Sequence, residues 1–104
     1  MENMKFEFLT NRAAQPQRKQ VIIGVVASGN LEALVERIDD ETRCIIDVET
    51  ASHGFEPIWQ AVMGDFVEQY AVGGLRISIN DGGARPDTVS LRLAQAMRLM
   101  EEVE

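Results

Sequence analysis

Polar and apolar side chains alternate over Lys5, Phe6, Glu7, Phe8 and Leu9, a period of two that predicts a half-buried strand at or near a sheet edge. Asn11 to Lys19 loses the rhythm. Ala13, Ala14 and Pro16 are scattered among polar residues there, so a turn or mobile loop is expected, with Arg12, Arg18 and Lys19 as a solvated charged edge. Gln20 to Ala27 is a β-branched run broken by Gly24, which predicts a central strand covered on both faces. Leu31 to Ile38 fits two templates: a helical stripe through Leu31, Leu34, Val35 and Ile38, and an alternation through Leu31, Ala33 and Val35. The strand is preferred. Beyond a charged turn at Asp39, Asp40 and Glu41, Cys44, Ile46 and Val48 alternate with Ile45, Asp47 and Glu49 as another strand.

In the second half, Ile58, Trp59, Val62, Met63, Phe66, Val67 and Tyr70 recur at spacings of three and four, one apolar face of a helix with Pro57 near its first turn. Ser52 is a candidate cap for this helix, and Gly73 and Gly74 are expected to stop it. Leu75, Ile77 and Ile79 then alternate with Arg76, Ser78 and Asn80 in a strand with one wet face, followed by a turn at Asn80 to Gly83. Pro86 and Asp87 suit the start of a last helix with Val89, Leu93, Ala96, Met97 and Met100 inward and Glu101, Glu102 and Glu104 at a frayed end. Strands followed by helix, strand and helix predict an α+β fold, a mostly antiparallel sheet with two helices packed on one face. Internal repeats are absent.

Length and charge narrow the function. With 104 residues, 45% of them apolar, the chain has material for one core. A formal charge of -7 repels a phosphate backbone at long range, which argues against nucleic acid as partner. One Cys cannot form an internal disulfide, and Met1 to Lys5 lack the basic start and apolar run of a signal peptide, so a cytoplasmic protein is expected. The densest apolar run, Val21 to Ala27, is far short of a membrane span.

Chemistry has few residues to draw on. One His and one Cys, without metal-ligand spacing, argue against a metal centre. Cys44 shares the parity of Ile46 and Val48, where a small side chain packs rather than attacks. Asp47 and Glu49 lie two apart on one strand face, a spacing typical of solvated carboxylates. A Ser28, His53 and Asp81 triad, and hence a small hydrolase, can be drawn, but nothing in the spacing selects it. Asp81 beside Gly82 and Gly83 suits a side chain that holds its own turn, with orientation of a bound group as the other role open to it and to Arg92. Ser28-Gly29-Asn30 stands apart. It closes an apolar run with a hydroxyl that has no bulky neighbour, which is how a modification site is presented to an enzyme, although an ordinary hairpin turn reads the same way.

Val25 to Glu32, Trp59-Gln60, Ile79 to Pro86 and Leu91-Arg92-Leu93 together resemble the acyl carrier (delta) subunit family of bacterial malonate decarboxylase, in the same order from Phe6 to Met97. The resemblance implies a single acyl-carrier-like domain over residues 1–104, non-catalytic, with Ser28 bearing a covalent 2'-(5''-phosphoribosyl)-3'-dephospho-CoA. It further implies acetyl and malonyl thioesters on the arm's thiol, whose carbonyl can delocalise the carbanion left when malonyl loses carbon dioxide. The implied partners are the acyl transferase and decarboxylase subunits and a prosthetic-group transferase, all served by one tethered substrate. A small non-enzymatic interaction module of a multisubunit complex is the competing reading.

Overall fold

The computed structural model describes residues 1–103, so the expectation for Glu104 lies outside the described residues. In chain order the elements are β1 (Glu2–Leu9), β2 (Gln20–Gly24), β3 (Leu31–Arg37), β4 (Arg43–Thr50), α1 (Glu56–Gln69), β5 (Leu75–Asp81) and α2 (Pro86–Glu101). The five strands form one sheet in the order β1-β4-β5-β3-β2. Three neighbouring pairs are antiparallel, and β4 and β5 run parallel. A parallel pair needs a crossover, and α1 supplies it.

Alternation along the strands sorts the two faces. Met4, Val21, Leu31, Ala33, Val35, Cys44, Ile46, Val48, Leu75, Ile77 and Ile79 are buried and form one core with Trp59, Met63 and Phe66 of α1 and Val89, Leu93, Ala96, Met97 and Met100 of α2. Each large side chain sealed there contributes about 2 kcal/mol. The other sheet face is polar. Arg76 pairs with Asp47 across it at 2.8 Å, and Arg43 pairs with Glu7. Such exposed pairs are worth at most about 1 kcal/mol each, so the helix side carries the stability.

The α+β class, the preference for a strand at β3, the edge position of β1 and both helices agree with the sequence pattern. Several details differ. The Gln20 strand is not central: β2 is the edge strand beyond β3, it stops at Gly24 rather than Ala27, and Ile22 is 59% exposed. Gly24 takes a left-handed φ of 82°, which turns the chain off the ladder. Ser52 does not cap α1, whose N-cap position is Phe55 and has no side-chain cap; the Ser52 amide instead donates to Thr50 Oγ1 at 3.1 Å. The first helix ends before the glycines, at Gln69, where Tyr70 adopts extended backbone. Gly73 serves packing instead, since a Cβ there would lie 2.1 Å from the Glu41 carbonyl oxygen.

The Asn11 to Lys19 connection is tied down rather than mobile, and Arg12 is more than a solvated charge. Ala14 N and Gly73 O are 2.9 Å apart, and Gly73 N returns a bond to Arg12 O at the same distance. The Arg12 guanidinium donates to the carbonyls of Val67 at 3.2 Å, Glu68, and Tyr70 at 3.4 Å. Those carbonyls have no partner inside α1, and a cation at a helix C-terminus also opposes the negative end of the dipole. Gln17 N and Arg18 N meet Met100 O of α2 in the same manner, at 2.7 and 3.3 Å.

Candidate functional site

Ser28 lies at the end of the sheet where β2, β4 and β5 finish and both helices begin. After Gly24 the chain runs through Val25 and Val26, 55% and 48% exposed, so the serine hangs beyond the edge strand instead of closing a stiff central one. Ala27 to Asn30 is a tight turn closed by Asn30 N donating to Ala27 O at 3.0 Å, with Gly29 at φ 75° in the position that calls for glycine. Two further bonds latch it to the chain just past β5: Gly29 N to Gly82 O at 3.1 Å and Gly82 N to Asn30 O at 2.9 Å. Contact here is so close that a Cβ on Gly82 would lie 2.2 Å from the Ala27 oxygen. Ser28 itself is exposed, its hydroxyl has no hydrogen-bond partner among the described residues, and the place a Cβ would take on Gly29 has nothing within 4 Å.

Behind the turn stand two polar anchors. The Asn30 Oδ1 atom accepts from Leu31 N at 2.8 Å and from Arg92 Nε at 3.2 Å, while Arg92 Nη1 donates to Gln95 Oε1 at 2.9 Å. No carboxylate pairs with that guanidinium among the described residues, so its charge stays available at the foot of the turn. Asp81 is 2% exposed and its carboxylate accepts three bonds: from Thr50 Oγ1 at 2.8 Å, Gly83 N at 3.1 Å and Ala84 N at 2.9 Å. This is the turn-holding role expected for it, and it adds a tie to the end of β4.

A Ser28, His53 and Asp81 triad is not assembled. Both Asp81 oxygens are engaged by Thr50 and the turn backbone, and His53 is exposed in the β4–α1 connection. Cys44 is fully buried, and desolvation pushes its thiol up to about 12, so it packs. Asp47 is ion-paired to Arg76 rather than merely solvated. Among the described residues no group of three or more His, Cys, Asp or Glu is placed to hold a metal ion, and no helix is long and apolar enough to cross a membrane.

One feature of this end escapes the sequence pattern. A groove of about 180 Å³ opens between the starts of the two helices, walled by Phe55, Ile58, Trp59 and Val62 on one side and Ala84 and Pro86 on the other. Periodicity assigns Ile58 to the inner face, yet it is 45% exposed at the groove's lip, beside Phe55 at 47%.

Fold and site together define a small α+β protein that displays a serine turn next to an apolar groove, with no catalytic triad assembled around it among the described residues. The family model described as "Malonate decarboxylase delta subunit (MdcD)" matches residues 18–100, and the chain belongs to that family. It is 57% identical over 102 residues to the malonate decarboxylase acyl carrier protein of Bradyrhizobium diazoefficiens, covering 98% of this chain and 97% of that protein. The protein of that name in Xanthomonas axonopodis pv. citri is 48% identical over 101 residues, covering 97% and 96%. Among solved structures, a chain in the crystal structure of a Pseudomonas malonate decarboxylase hetero-tetramer in complex with malonate superposes with a TM-score of 0.83 at 35% identity, over 96% of this chain and 99% of that one.

Proposed function

We propose that this chain is the acyl carrier subunit of a cytoplasmic malonate decarboxylase, a non-catalytic domain that bears phosphoribosyl-dephospho-CoA on Ser28. The observation that carries this reading is the free, solvent-facing hydroxyl of Ser28 on a turn fixed at both ends by backbone hydrogen bonds. The residues around it fit such a group: Gly29 leaves the approach to the oxygen clear, and Arg92 offers an unpaired positive charge to a phosphodiester. When bound, the group supplies a terminal thiol on which acetyl and malonyl travel as thioesters.

The chain's own contribution is presentation. Gly82 sets the height of the turn by admitting the Ala27 carbonyl, Asp81 locks the segment that carries Gly82, and Asn30 joins the turn to α2 through Arg92. A fixed root keeps the long arm at high effective concentration near each partner's site. The partners in this reading are the acyl transferase and decarboxylase subunits, together with the transferase that modifies Ser28. An excess of acidic groups steers the carrier toward basic docking surfaces without tight binding.

Intact-mass measurement after co-production with the biosynthetic transferase tests the reading. Wild-type protein is expected to gain one nucleotide-sized group and Ser28→Ala to gain none. An unchanged wild-type mass alongside verified transferase activity overturns the proposal and favours a plain interaction module.

A further inference from the structure

The groove between the helix starts is built from segments far apart in sequence. It begins within one residue of the Ser28 turn: Gly29 N bonds Gly82 O, and Gly83 already lines the groove. Its walls are mostly apolar, with the exposed Phe55 and Ile58 at the lip and the buried Trp59 behind them. Its rim carries Arg85, which pairs with Asp87 at 3.5 Å, and its floor the Asp81 carboxylate already engaged by Thr50 and the turn backbone, while Arg92 stands outside it at the foot of the adjoining turn. At about 180 Å³ it is smaller than the roughly 300–1,000 Å³ of sites that enclose a whole small molecule, so it suits one flat ring system attached to something that stays outside.

We propose that this groove seats the adenine ring of the arm carried by Ser28, an inference that rests on Ser28 as the attachment point. From the serine outward such an arm presents a phosphate, a ribose and then the adenosine, so the purine is its first planar, apolar part and comes within reach of the groove. Aromatic and aliphatic walls stack a base without needing its edge, while the Arg85 and Arg92 guanidiniums face the phosphates on either side of it. Seating the base leaves the pantetheine portion and its thiol free to visit other subunits. It also shortens the mobile part of the tether, which raises the thiol's effective concentration near a docked partner.

Trp59 is the only tryptophan in the chain and lines the groove, so the protein carries its own reporter. The experiment compares unmodified and modified full-length protein, each verified by intact mass, through Trp59 emission and the NMR signals of the Trp59 indole and the Phe55 and Ala84 amides. Modification is expected to quench Trp59 and shift all three signals, and these changes are expected to vanish in modified Ile58→Glu, whose new carboxylate stands at the solvent-facing lip. A correct mass gain with perturbation confined to residues 27–30 overturns the seating while leaving Ser28 as the attachment point. Equal groove shifts in modified Ile58→Glu overturn it as well. Loss of modification in Ile58→Glu assigns the groove to transferase recognition and overturns it too. Absence of any mass gain in the wild type overturns the attachment reading and this inference together.

Discussion

The two ends of the sheet are built to opposite ends. At the one where the helices finish, the Asn11 to Lys19 segment crosses beneath both of them and spends its backbone and the Arg12 side chain on their last carbonyls. Gly73 and Gly74 join it through bonds to Arg12 O, Ile38 N and Arg43 O, which ties the helix ends to the sheet there, with Leu9 left 79% exposed beside them. At the other end, neither helix start has a side-chain cap, Val25, Val26, Phe55 and Ile58 face solvent, and a groove stays open beside a free hydroxyl. Helix amides left uncapped and apolar groups left in water both cost stability. The difference teaches that this small fold ties down its helix ends away from the Ser28 turn, while at the other end the buried Asp81 network and the Gly82 latch hold the turn in place.

Substitutions at each end sharpen that division. The largest effect is expected from Asp81→Ala, which strands the Thr50 hydroxyl and two turn amides: a loss of about 3 kcal/mol, read as a melting temperature lower by roughly 15 °C in a calorimetric scan. Below its transition the variant is expected to accept the Ser28 group to the wild-type extent, and a modification defect at full foldedness would recast Asp81 as part of the displayed surface. Gly82→Ala comes next, because its methyl group meets the Ala27 oxygen. A cost of about 2 kcal/mol is expected, this time with slower Ser28 modification in a timed mass assay, since the turn itself must move. Arg12→Ala is the mildest, about 1 kcal/mol and roughly 5 °C. It acts at the end away from Ser28 and should leave the modification rate untouched; a change in that rate would break the separation of the two ends.

Much of the fold was legible because each buried face writes its own period: Cys44, Ile46 and Val48 for β4, Leu75, Ile77 and Ile79 for β5, Leu93, Met97 and Met100 for α2. The order of strands was not. Val21 to Val26 is as apolar as a central strand, but neighbours in a sheet are decided by pairings distant in sequence, and here Val21 and Ile23 face the core while Ile22, Val25 and Val26 face water. Arg12 escaped for a related reason, since the carbonyls it serves lie more than fifty residues downstream. The Ser28 turn was readable from Ser-Gly-Asn alone. Its groove, assembled from the β4–α1 connection and the starts of both helices, leaves no local trace in the sequence.

Because the latch on the turn comes from Gly82, the presented serine is a property of the finished globule and not of its own peptide. A nascent chain that has emerged only through β4 possesses the hairpin strands, the hydroxyl and the turn's own Asn30–Ala27 bond, yet lacks the Gly82 clasp. Closing that loop waits on β5 slotting between β3 and β4. In the carrier reading proposed for Ser28, correct architecture is therefore a precondition for labelling, and the fold would act as a checkpoint on which copies become competent.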